Sequence, residues 1–313
     1  MNHPNTLQHA ETTMEISLNI LFASIFVGSL YMTSENIRQL SHNNPIQIKQ
    51  RAVSTFVSCI TCCILVYGWC TSTGNEKRVP VNQLLGLRVV GVVPAAVLPL
   101  ALTLLLFLGA LVCKVCEYIA FQRIDNRAST SNATIIWPTI TDAKNSITQY
   151  FSTWPNIRTV VIAPVAEEFV FRACMAAVML HSGNWSCGKI VFVLPLFFGV
   201  AHAHHFYRLV FLEKIPMKRA LFQCLFQFTY TSLFGMYASF IFLRTGHLIG
   251  AILCHCFCNW NGFPDLGWLT DKKDIAAPYK TIIGTAYVVG IVAFCYGLWP
   301  MTTPSLYGSI LWQ

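Results

Sequence analysis

Charge is what this sequence has least of. Only 11% of its 313 residues are Asp, Glu, Lys or Arg, against 55% hydrophobic, and the mean hydropathy is +0.54. A soluble globular domain carries about 25% charged residues. A water-exposed globule of this length would therefore lack the polar surface it needs, which excludes a soluble enzyme. Also missing are an internal repeat, a low-complexity tract and a polar stretch long enough for a second domain. The opening MNHPNTLQHAETT holds no Lys or Arg, and no clear small-residue cleavage site follows the first apolar run. No cleavable signal peptide is expected, and the first span is retained. A disulfide framework is not expected either. The 13 cysteines, among them Cys59, Cys62, Cys63, Cys254 and Cys256, lie mostly inside apolar stretches, the pattern of buried thiols.

What is present is a series of apolar runs near the ~20 residues that cross a bilayer. The chain reads as all-α, a polytopic membrane helical bundle of about eight transmembrane helices. Residues 1–313 form a single integral membrane domain, with spans at 15–33, 53–71, 89–112, 158–180, 189–209, 219–243, 247–262 and 281–300. The seventh is short and interrupted by His, Asn and Gly. The longest connection, Lys114 to Ile157, contains a candidate surface helix from Asp142 to Phe151.

The net charge of +8 sits in short loops between apolar runs, as an orientation signal does, and nucleic acid is discounted as a partner. One side of the eight-span arrangement receives 15 Lys and Arg, including Arg51, Lys114, Arg158 and Arg208. The other receives 5: Lys77, Arg78, Arg88, Lys189 and Arg244. This imbalance puts the long connection in the cytoplasm and both termini in the lumen. Asn184-Trp-Ser186 is then a luminal glycosylation sequon too close to the membrane for modification, and Asn132-Ala-Thr134 is cytoplasmic and stays bare.

Three clusters do not belong in a bilayer. The fourth span reads PVAEEFVFRACM, with Glu167, Glu168 and Arg172 well inside it. Each ionisable group at mid-membrane costs about 2.5–3.5 kcal/mol on insertion scales, so each needs a partner or a task. Glu168 and Arg172 are four apart and share a helix face, which suits a structural ion pair. Glu167 points about 100° away from Glu168 and must look to other helices or a wet cavity. The fifth span supplies His202, with His204 and His205 nearer the interface, and the seventh supplies His255 and Asn259, four apart on one face. Taken singly, each histidine or amide is equally an interhelical hydrogen bond. Together they amount to a carboxylate, two imidazoles and an amide, parts able to activate water and hold an oxyanion. Helical rise puts Glu167 roughly 13 Å and His202 roughly 10 Å from the same face, with His255 at a similar depth. Pro164 and Pro195 can kink the two helices beside a polar cavity.

These residues resemble the type II CAAX prenyl endopeptidases, the Ras-converting proteases of the endoplasmic reticulum membrane. Three motifs match in order: EExxxR at Glu167, Glu168 and Arg172, FxxxH at Phe198 and His202, and HxxxN at His255 and Asn259. The neighbouring AHAHH and FCNWNGFPD stretches look like the eukaryotic branch, and the similarity covers roughly 155–265, the expected catalytic core. The resemblance implies a glutamate-dependent intramembrane endopeptidase that removes the last three residues of prenylated CAAX proteins, such as Ras-like small GTPases, after the lipidated cysteine. By motif position Glu167 would be the general base, assisted by His202. His255 and Asn259 would stabilise the oxyanion, and Glu168 and Arg172 would support them. The site would face the cytoplasm and use no cofactor or metal.

Other readings remain open. Glu167, His202 and His255 are also possible zinc ligands, although no HExxH is present. The charged layer would also suit an ion path in a transporter, against which stand the missing repeat and the one-sided clustering. A non-catalytic escort of prenylated proteins would not need the full constellation.

Overall fold

The computed structural model describes residues 4–72, 79–128 and 135–312, and every regular element among them is helical. The chain runs through α1 (Pro4–Ser29), α2 (Pro45–Ser72), α3 (Val92–Leu106), α4 (Leu108–Ala128) and the exposed α5 (Ile140–Tyr150). Then come a composite helix α6 over 158–182, α7 (Cys187–Ala201), α8 (Met217–Thr245), α9 (Leu248–Asn261) and α10 (Lys280–Leu298). A helical segment therefore stands at each expected span. The ranges Gln8–Ser29, Pro45–Ser72, Cys187–Phe211 and Ala277–Leu298 are each long and apolar enough to cross a bilayer alone, and the bent pair α3 and α4 makes a fifth.

Three expectations need correction. The third span is not one rod: α3 and α4 meet at 65°, because Phe107 leaves the helical region between them. Its helix also does not stop at 112, since α4 carries on to Ala128 through Lys114, Glu117 and Arg123, which shortens the long connection. The seventh span is short but unbroken. His255 and Asn259 stay within regular α9, which ends only at Gly262, where φ is 74°. The sequon residue Asn132 lies outside the described residues, whereas the Asn184 side-chain amide donates to Glu11 at 3.1 Å.

Why α6 lies at the centre follows from its composition. From Val170 to Met179 it is apolar on every side apart from Arg172, and such a helix has to be enclosed. Each residue of that stretch is buried, in a core shared with Phe22 and Phe26 of α1, Cys62 and Val66 of α2, and Leu194 and Phe198 of α7. Outer faces are the reverse. On α2 the exposed Val53, Phe56, Ile60, Ile64 and Tyr67 recur at helical spacing, an apolar stripe fit for lipid rather than water. Of the thiols expected to be buried, Cys62, Cys113 and Cys254 are interior, whereas Cys59, Cys63 and Cys256 are only partly buried.

Helices α7 and α8 approach closely because glycines face the seam. A Cβ on Gly199 would come within 2.7 Å of Ser232 Oγ, and one on Gly235 within 2.9 Å of Pro195 Cβ. The two ends of the bundle also differ. Trp185 donates its indole N–H to buried Glu15 of α1, and the Cys187 thiol meets the Leu311 carbonyl at 3.1 Å, so both terminal segments lie at the Lys189 end. Arg51, Arg158 and Arg208 converge at another place, around one cavity.

Candidate active site

Helix α6 is irregular where its charges sit. Wide π-helical turns over Arg158–Ile162 and Phe169–Cys174 flank the regular turns of Ala163–Glu168. Inserting a residue into a helical turn re-aims the side chains around it, and such turns are frequent at functional sites. Here they bracket Glu167 and Glu168.

The two adjacent carboxylates have different environments. Glu168 is wholly enclosed, its side chain 0% exposed, and it contacts Arg172 Nε through Oε2 at 3.1 Å and His255 Nδ1 through Oε1 at 2.6 Å. The side chain of Glu167 is 19% exposed, and its Oε2 lies 3.7 Å from His255 Nε2. One imidazole thus bridges both carboxylates, one at each ring nitrogen. A carboxylate this deeply buried requires an opposite charge, and Arg172, itself 1% exposed, supplies it. The Arg172 Nη1 and Nη2 groups find no hydrogen-bond acceptor among the described residues. Aromatic faces take that place: the guanidinium carbon lies 4.2 Å from the Phe198 ring centroid and 5.8 Å from that of Phe234. Phe234 also packs on His255, with centroids 4.7 Å apart, so the ring is held by packing as well as by charge.

The geometry fixes the tautomer of His202. Its Nδ1 lies 2.8 Å from the Phe198 carbonyl oxygen, which can only accept, so Nδ1 carries the proton and a neutral ring keeps its Nε2 lone pair free. Phe198 thereby serves both residues, its carbonyl orienting His202 and its ring covering Arg172. His204 makes the same kind of bond to the Ala201 carbonyl at 2.6 Å, and His205 meets Gln227 Oε1 at 3.0 Å, so both rings are held by hydrogen bonds.

Glu167 and His202 line one cavity of about 290 Å³, with Phe26, Leu30, Phe171 and Phe198 on its apolar side. His255 reaches Glu167 from the other flank. Asn259 takes part differently, its Nδ2 donating to the Thr159 carbonyl at 2.9 Å, one turn beyond His255 on α9. The structure thus brings Glu167, Glu168, Arg172 and His255 into direct contact, sets His202 on the same cavity, and ties Asn259 to the start of α6. Among the described residues no three His, Cys, Asp or Glu side chains converge in a metal-holding arrangement. The sequence reading overlooked His42, Arg51, Arg158 and Arg208, which also line the cavity. The three arginines were signalled only by their place on the more basic side, and His42 by nothing.

Fold and site together define a helical membrane protein with a carboxylate and imidazole centre inside its bundle. The family model described as type II CAAX prenyl endopeptidase Rce1-like matches residues 149–261. The chain is 36% identical to CAAX prenyl protease 2 of Homo sapiens over 92% of its own length and 81% of that protein. It is 28% identical to CAAX prenyl protease 2 of Arabidopsis thaliana over 95% of its length and 92% of that protein. No solved structure matches it. The chain belongs to the type II CAAX prenyl endopeptidase family, and is accordingly a membrane-embedded endopeptidase of CAAX proteins.

Proposed function

We propose that this endopeptidase hydrolyses the peptide bond after the lipidated cysteine of prenylated CAAX proteins, Ras-like small GTPases among them, and releases the last three residues. Glu167 takes a proton from water, and the hydroxide attacks the scissile carbonyl. His202 holds the water through its free Nε2 and shuttles the proton toward the leaving amine. When the His255 ring carries both protons, Nδ1–H donates to Glu168 and Nε2–H is left to donate to the oxyanion, with Asn259 beside it on α9. Such preorganised donors are what a tetrahedral oxyanion requires. Glu168 and Arg172 position His255 and touch no substrate atom.

The observation that carries this reading is the sharing of His255 between an enclosed carboxylate at 2.6 Å and a cavity-lining one at 3.7 Å. Two carboxylates with such different surroundings suit two different tasks. The cavity's apolar wall suits a prenyl chain that partitions into lipid. The whole chain acts as one membrane domain with its catalytic core at about 155–265, in keeping with the 149–261 family match. We place it in the endoplasmic reticulum membrane with the cavity open to the cytoplasm, as supported by the charge count and by the arginines around the cavity. The test is cleavage of a farnesylated CAAX peptide by membranes containing the full chain, with mass analysis of the products. Release of the intact tripeptide from the farnesylated peptide, and not from its unprenylated counterpart, is expected. Cleavage at another bond, or none, would refute the assignment.

A further inference from the structure

The cavity that holds Glu167 is also lined by groups of a different chemistry. Arg51 of α2, Arg158 at the start of α6 and Arg208 after α7 all line it, each half-buried and each acting electrostatically on the others. Arg208 meets Glu213 at 3.1 Å, but among the described residues neither Arg51 nor Arg158 has a carboxylate within ion-pair distance. Three like charges in one partly enclosed space repel one another, and one glutamate offsets only one of them.

The arrangement is nonetheless built. Arg51 donates from Nη1 to His42 Nδ1 at 2.8 Å, and Arg158 donates from Nη1 to the His42 backbone carbonyl at 2.9 Å, so one residue of the α1–α2 connection fixes both guanidiniums. Arginine can only donate, so His42 Nδ1 accepts and its ring is neutral. Burial and the adjacent Arg158, Arg51 and Arg208 push the His42 imidazole down to about 4, so it adds no charge to the cluster near neutral pH. Arg51 Nε is buried and makes no hydrogen bond. Arg158 also donates from Nη2 to Asn43 Oδ1 at 3.4 Å. A cavity lined by two fixed guanidiniums with no carboxylate partner is prepared for an anion.

We propose that Arg51 and Arg158, together with Arg208, form the subsite for the free α-carboxylate at the C-terminus of the peptide substrate. This rests on the reading that the bond cut at Glu167 lies three residues from that terminus. Spacing favours it. Arg158 precedes Glu167 by nine residues of one helix, a rise of at most about 13 Å, and a three-residue extended peptide spans about 10 Å. An arginine side chain covers the difference. The subsite would measure the length of the leaving segment, because a longer or shorter tail would put either its carboxylate or its scissile bond out of place.

The experiment compares one farnesylated CAAX peptide as free acid and as C-terminal amide, using the full chain in phosphatidylcholine proteoliposomes, for wild type, Arg51→Gln, Arg158→Gln and Arg158→Lys. Amidation is expected to raise KM at least about tenfold, the usual size of a lost charge-assisted pair. Each Gln variant should raise KM for the acid by a similar factor and for the amide by much less, so that the two losses do not multiply. Arg158→Lys should restore part of the acid's advantage. Equal KM for acid and amide in wild type, or losses that multiply, would overturn the subsite while leaving the endopeptidase reading intact. Arginine effects that are equal for both peptides and arise only when anionic lipid is added would assign the cluster to a lipid phosphate instead, and overturn it too. If wild type cleaves neither peptide, the proposed function falls and the subsite with it.

Discussion

His255 is held between two neighbouring glutamates, its Nδ1 2.6 Å from Glu168 and its Nε2 3.7 Å from Glu167. The contact to Glu168 fixes how the ring sits, and the one to Glu167 couples it to the cavity. Glu168→Gln keeps an acceptor for Nδ1–H but removes the charge that pairs with Arg172. We expect peptide cleavage to fall about 10²-fold or more, with some loss of stability because Arg172 loses its counter-charge. Glu168→Ala should also strand Arg172 in the core at a cost of about 3–5 kcal/mol, visible as a lower melting temperature in detergent. Unchanged activity in Glu168→Gln would remove the positioning role.

His202 is oriented by a backbone carbonyl, so its free nitrogen should be the functional one. His202→Ala is expected to lower kcat about 10²–10⁴-fold, the usual loss of a general acid or base. Little change in thermal stability should accompany it, since the ring borders a cavity. A large KM effect with kcat intact would reassign His202 to binding.

The α7–α8 seam makes a further demand. A Cβ at Gly235 would lie 2.9 Å from Pro195 Cβ and 3.2 Å from Arg172 Nη2. Gly235→Val should overpack the seam at about 1–3 kcal/mol and displace the guanidinium from Phe198. Activity should therefore drop beyond what the stability loss explains. A folded, fully active Gly235→Val would show that the position of Arg172 does not matter.

Protonation of His42 should matter on the acid side. Its imidazole is pushed down to about 4 by burial and by the three arginines, against about 6.5 in an unfolded chain. Between those values the unfolded state binds more protons, so folding stability declines as pH falls from about 6.5 toward 4 and is unaffected by this group above that window. His42→Asn should flatten that decline in a melting-temperature series from pH 7 to 4. An identical slope in both proteins would mean that His42 is not the group responsible. His42 is exposed to solvent, which screens its neighbours, so the change in slope should be small.

Much of the site was legible because a bilayer makes polar residues conspicuous. Glu167, Glu168, Arg172, His202 and His255 stand out in apolar runs, and i,i+4 spacing alone paired Glu168 with Arg172. Helical rise placed Glu167 and His255 at one depth, and the two do meet. What was not legible was long-range or cooperative. No local rule joins Glu168 to a histidine 87 residues away. Wide turns within α6 depend on packing and have no strong residue signature. The bend at Phe107 and the run of α4 through charged residues to Ala128 show that a hydropathy boundary marks the end of an apolar run, not the end of a helix. The arginine cluster was read as an orientation signal, because its members come from three separate segments that only the fold unites.

The most direct test of the account is cleavage of a farnesylated CAAX peptide by membranes containing wild type or Glu167→Ala, each with and without a strong zinc chelator. The account predicts chelator-resistant cleavage by wild type and none by the variant. Full activity in Glu167→Ala would contradict it, as would chelator-sensitive cleavage restored by zinc, which would make the same side chains ligands instead.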